Sequence, residues 1–127
     1  MTTQQPRTYL LPWPPSVNRY WRHVAVRGRP RTLISAAGRS YQKEVAVALR
    51  LAGVVAMVGP VACHVEAHPP DRRRRDADNL LKATLDALTG GGAWLDDSQV
   101  RHLSVTLRRP AGGAGYLHVA LTPWTED

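Results

Sequence analysis

Cysteine is almost absent from this 127-residue chain, where Cys63 stands alone. One thiol excludes an intramolecular disulfide framework and any Cys₄ or Cys₂His₂ zinc site within one chain. Its apolar-alternating surroundings predict a buried, inert thiol, not a nucleophile. Equally missing is any apolar run long enough to span a membrane, and the N-terminus lacks a signal-peptide pattern. The expectation is a soluble, cytoplasmic protein. Internal repeats and a second domain are also lacking, so residues 1–127 read as one domain with a single modest core.

Acidic residues are missing from the first third. None precedes Glu44, while Arg7, Arg19, Arg22, Arg27, Arg29, Arg31, Arg39 and Lys43 accumulate there. Seventeen basic residues against ten acidic ones leave a net charge of +7, and Lys43 and Lys82 are the only lysines among the seventeen. A genomic bias would explain arginine over lysine, but not the confinement of most acids to two clusters. A field of this sign captures polyanions, and nucleic acid is the favoured partner.

Tyr9-Leu10-Leu11 reads as a short strand ended by Pro12-Trp13-Pro14-Pro15. Residues 20–34 form either a hairpin or an ordered loop around Arg27-Gly28-Arg29-Pro30. Ser35 is placed to cap a helix running to about Val55, with Tyr41, Val45, Ala48, Leu49 and Ala52 along one face. From Val61 to His68, alternation predicts a half-buried strand with His64, Glu66 and His68 on its polar side. A second helix is expected from about Asp78 to Thr89, burying Leu81, Leu85 and Leu88 with help from Leu80 and Thr84, and ended by Gly90-Gly91-Gly92. Two more strands follow, Val100 to Arg108 and Tyr116 to Thr122. The fold class is therefore α+β: a single domain of mixed β-sheet packed with two α-helices.

Chemistry concentrates at Arg72-Arg73-Arg74-Arg75-Asp76-Ala77-Asp78-Asn79-Leu80-Leu81-Lys82, with Asp96-Asp97 beyond the second helix. Carboxylates are natural ligands of Mg²⁺, and arginines of phosphate. Side chains two apart in an extended segment share a side, so Asp76 and Asp78 can face one cation. If Asp78 opens the helix, Asp78, Lys82 and Asp86 share a helix face. The glycine turn can return Asp96 and Asp97 towards the helix start. Crowded carboxylates repel one another unless a cation intervenes. Each also has a plainer reading. Asp76 or Asp78 can cap a helix, Asp86 can pair with Lys82, and Asp96 can sit in a solvated turn; for Asp86 and Asp96 that reading is preferred. Four adjacent arginines in one loop have little structural purpose, and they favour chemistry on a phosphodiester backbone.

These residues resemble the RusA family of Holliday-junction resolvases, endonucleases often encoded by bacteriophages and prophages. The matching pieces are Leu11-Pro12-Trp13-Pro14-Pro15-Ser16-Val17-Asn18-Arg19-Tyr20-Trp21-Arg22, then Pro70 to Lys82, Asp86-Ala87-Leu88, and Trp94-Leu95-Asp96-Asp97-Ser98-Gln99-Val100. The resemblance covers essentially the whole chain. It implies a RusA-like, Mg²⁺-dependent homodimer that binds four-way junction DNA and cuts two opposed strands symmetrically. It further implies Asp76, Asp78 and Asp97 as metal-binding catalytic carboxylates, with Lys82 as an essential basic residue beside them. Ser16, Asn18, Arg19, Arg72, Arg73, Arg74, Arg75 and Asn79 are implied as DNA contacts.

Two other classes compete with the nuclease: a non-catalytic nucleic-acid-binding module, and a Mg²⁺-dependent transferase using Asp76 and Asp78. The transferase lacks a recognisable nucleotide-binding glycine loop. Trp13 and Trp21 are placed either to stack on unpaired bases or to pack against the protein. Trp94, just before the Asp pair, reads as core that fixes the turn. His64, Glu66 and His68 read as a polar strand face in preference to a metal trio.

Overall fold

The computed structural model describes residues 4–126. Its strands are β1 (Arg7–Pro12), β2 (Trp21–Val26), β3 (Arg29–Ile34), β4 (Val61–His68), β5 (Val100–Leu107) and β6 (Tyr116–Pro123). The helices are a single turn α1 (Val17–Tyr20), then α2 (Ala36–Leu51) and α3 (Leu81–Gly90). Four strands form a sheet in the order β1-β6-β4-β5, while β2 and β3 make a separate two-stranded ribbon. Within the larger sheet, β4 runs parallel to β5 and antiparallel to β6, and β6 runs antiparallel to β1. The sheet is thus mixed and the class α+β. No helix of the described residues is long and apolar enough to cross a membrane.

Strand β4 is central, and its alternation is the cleanest in the chain: Val61, Cys63, Val65 and Ala67 are all buried. Their partners on β5 are Val100, Leu103, Val105 and Leu107. Position at the sheet edge leaves Leu103 and Leu107 exposed although they share the buried side's register. Burial pushes the Cys63 thiol up to about 12, as expected of an inert core cysteine.

Helix α2 begins where expected, with Ser35 Oγ accepting from Gly38 N at 3.0 Å. It buries Tyr41, Val45 and Leu49, but ends at Leu51, four residues earlier than periodicity suggests. For α3 the difference is larger. A 3₁₀ turn over Ala77–Leu80 precedes it, and the α-helix starts only at Leu81. Its buried residues are Ala83, Thr84, Ala87 and Leu88, while Leu81 and Leu85 are half-buried. Small residues face inward because α3 packs closely on α2: a Cβ at Gly91 would lie 2.5 Å from Leu49 Cδ1. Trp94 is fully buried, and its Nε1 donates to Thr89 Oγ1 at 2.7 Å, tying the glycine turn to α3.

Candidate active site and basic groove

Asp76 is extended, and its carbonyl accepts from Asn79 N at 3.1 Å to open the 3₁₀ turn. Its side chain makes no capping bond. Asp78 lies inside that turn, so it does not begin the α-helix. Asp97 opens a second 3₁₀ turn, Asp97–Gln99, which lies against α3, while the following β5 lies against the Ala77–Leu80 turn. The glycine connection therefore brings the Asp97 turn back onto α3.

The carboxylates divide into two groups. Asp71, Asp86 and Asp96 each take protein partners. Asp76, Asp78 and Asp97 are exposed and make no side-chain hydrogen bond or ion pair among the described residues. Among the described residues no three His, Cys, Asp or Glu side chains converge as a metal-holding group. The donor chemistry nonetheless fits a hard cation, being three uncommitted carboxylates. His64 and Glu66 are committed elsewhere, to Ser104 Oγ at 2.7 Å and Arg108 at 3.1 Å, and His68 stacks on Tyr116.

Lys82 turns towards Asp86, with Nζ 3.2 Å from Oδ1 and 5.6 Å from the Trp21 ring centroid. The other Asp86 oxygen accepts Tyr20 OH at 2.7 Å, and Gln42 Nε2 donates to Tyr20 OH at 2.8 Å. Burial, with the Asp86 carboxylate beside it, pushes the Tyr20 hydroxyl well above its ordinary value. Lys82 and Asp86 thus form the ion pair expected of their spacing, whereas Asp78 and Lys82 make no ion pair. Tyr20 and Gln42 carried no signal in the sequence, since their partner is distant in the chain.

Asp96 is a cap: its side chain accepts from Ser98 N at 3.1 Å, and this holds its carboxyl below the usual range. Gln99 completes the capping box and does more. Its Oε1 accepts from Leu95 N and Asp96 N, and its Nε2 donates to Met57 O and Gly59 O, both at 2.9 Å. The Asp97 turn is thereby buckled to the α2–β4 connection. The Asp-x-x-Gln spacing was the available signal for the cap, though not for Met57 or Gly59.

The arginine loop is not uniform. Arg72, Arg73 and Arg74 are exposed, but Arg75 folds back, its side chain only 18% exposed. Arg75 Nη2 meets Asp71 Oδ1 at 2.8 Å, and its guanidinium lies 5.3 Å from the Trp13 ring centroid. The backbone N–H of Arg73, then the Arg75 side chain, hold the Asp71 carboxyl below its ordinary value. At its stem the loop is pinned by Ala111 N donating to Pro69 O at 3.0 Å. Gly115, with φ of 72°, sits where a Cβ would strike Pro70 N and His68 O. A groove of about 690 Å³ results, lined by Arg72, Arg73, Arg74, Arg75, Arg108 and Arg109. Arg108 and Arg109 directly follow β5 and are not among the expected contacts.

Trp13 and Trp21 connect the proline-rich opening to this centre through Arg75 and Lys82. Tyr41 OH donates to Pro12 O at 2.7 Å and fixes the same loop on α2. Ser16, Asn18 and Arg19, on and before α1, are exposed, and Asn79 is half-buried beside the Asp pair.

The family model for Endodeoxyribonuclease RusA matches residues 12–120. The chain belongs to the RusA family. A protein named crossover junction endodeoxyribonuclease RusA from Escherichia coli strain K12 is 47% identical over 113 residues, covering 88% of this chain and 90% of the relative. Relatives of the same name from Enterobacteria phage 82 and Shigella sonnei match to the same identity and coverage. The RusA match spans both Asp clusters, the arginine groove and the proline-rich opening.

Proposed function

We propose that this protein is a Mg²⁺-dependent, structure-selective DNA endonuclease that resolves four-way junctions by paired symmetric nicks, acting as a homodimer. RusA membership and the named activity of its relatives support the junction substrate. The observation that carries the site is the separation of carboxylates: among the described residues, Asp76, Asp78 and Asp97 alone in the two clusters lack side-chain partners. A non-catalytic module would use these aspartates as caps, a role that falls here to Asp96.

Asp76, Asp78 and Asp97 would hold the metal. A bound Mg²⁺ supplies a water of lowered pKa and neutralises charge on the phosphoryl oxygens. Lys82 contributes a compact positive charge beside the scissile phosphate. Arg72, Arg73 and Arg74, with Arg109, hold flanking phosphates, and Arg75 braces the loop that carries them. Water oxygen bonds to phosphorus as the bond to the 3′-oxygen breaks, leaving a 5′-phosphate and a 3′-hydroxyl. A two-fold dimer matches a junction that is itself approximately two-fold symmetric.

Purified protein incubated with a labelled four-way junction and with linear duplex, each with and without Mg²⁺, tests this reading. Paired symmetric nicks in the junction, dependent on Mg²⁺ and absent from the duplex, are expected. Equal nicking of both DNAs, or binding without nicking, would overturn it.

A further inference from the structure

Beyond Trp21 at its base, the β2–β3 ribbon has no place in the site described above, yet its register sorts its residues sharply. Cross-strand partners share a face. One face carries Trp21 and Ile34, which pack on the core at the base, with His23, Thr32, Ala25 and Pro30 beyond them. The other carries Arg22, Arg29 and Arg31 with Val24, Val26 and Leu33. All three arginines are exposed, and none is ion-paired among the described residues.

A two-stranded ribbon is marginal by itself, and this one is clamped only at its base. Ser35 N donates to Tyr20 O at 2.8 Å, and Arg39 Nη1 donates to Ile34 O at 2.7 Å. At the tip Arg27 and Gly28 have φ of 53° and 75°, so a fourth cation occupies a left-handed position that favours glycine or asparagine. Six residues per strand carry the arm about 20 Å from its base at roughly 3.3 Å per residue. That base is Trp21, whose ring lies 5.6 Å from Lys82 Nζ.

We propose that the Arg22–Arg29–Arg31 face of this ribbon grips the phosphate backbone of the duplex arm leading away from the cleavage site. The inference rests on the nuclease reading for its substrate. Charge selects the occupant: a second copy of a +7 chain would be repelled by this face, whereas a polyphosphate is attracted.

The test uses an Asp78→Asn background, so that DNA stays uncut, and fluorescence anisotropy of a labelled four-way junction across a salt series. Arg22→Gln, Arg29→Gln and Arg31→Gln should each reduce the slope of log K against log salt by about 0.9, and the triple variant by about 2.7. A triple lysine variant should retain the parental slope. Parental slope in the triple glutamine variant would overturn the proposal. So would an unchanged slope with loss of dimer in sedimentation, which would give the face to a second copy. Nicking by the otherwise unaltered protein is scored in parallel. If it is absent while the slopes shift as stated, the nuclease reading fails and the ribbon assignment stands.

Discussion

Tyr20 and Asp86 lie 66 residues apart in the chain and 2.7 Å apart across one hydrogen bond. That bond fixes one carboxylate oxygen and leaves the other for Lys82. Tyr20→Phe removes a donor to a charged group and should cost about 1.5–3 kcal/mol of stability, read from denaturant midpoints. Loss of Lys82 alignment should also slow single-turnover nicking by roughly 10-fold. Lys82→Ala should slow it far more with little change in stability, because an exposed i,i+4 pair contributes about 0.3–0.5 kcal/mol. Equal rate losses in the two variants would show that Tyr20 does more than position.

Gln99 links Leu95, Asp96, Met57 and Gly59 through four hydrogen bonds. Gln99→Ala should therefore lower stability by about 1–3 kcal/mol and displace Asp97. Reduced thermal midpoint together with reduced nicking is the expected pair of results. Unchanged nicking in a destabilised variant would separate the buckle from the site.

Arg75 and its neighbours should respond differently to substitution. Arg72→Gln or Arg74→Gln should reduce the salt slope of junction binding by about one each. Arg75→Gln should leave that slope nearly unchanged and instead loosen the loop from Trp13. Asp71, held below its ordinary value, favours the clasp above about pH 3.8 and loses it as pH falls through its lower folded-state value. A carboxyl titration followed by NMR should place Asp71 below 3.8 in the intact protein and return it towards 3.8 in Arg75→Gln.

Cys63, with its thiol pushed up to about 12 by burial, should resist alkylation in the native protein at neutral pH and react on unfolding. Prompt native labelling would place it outside the core.

Much of this was legible in the chain, for physical reasons that also mark the limits. Strand β4 reads clearly because a central strand buries one whole side. The ribbon did not resolve between hairpin and loop because it packs on the core only near its base, so its exposed strands show no burial period. The α-helix of α3 starts three residues after Asp78, which looks like its opening residue, because the backbone there makes a 3₁₀ turn. Its inward face is hidden in the sequence because Ala83 and Ala87 add little to a leucine stripe. Within the site, the Asp clusters and Lys82 stand out by spacing. Tyr20, Gln42 and the reach of Gln99 to Met57 depend on long-range contacts that no local pattern records.

The division between committed and uncommitted carboxylates is most directly tested by nicking of a labelled four-way junction in four single variants at saturating Mg²⁺. Asp76→Asn, Asp78→Asn and Asp97→Asn should each abolish nicking while junction binding survives. Asp96→Asn should remain active within a few-fold, since asparagine caps a turn as well as aspartate. Full activity in the first three, or its loss in Asp96→Asn alone, would contradict the assignment.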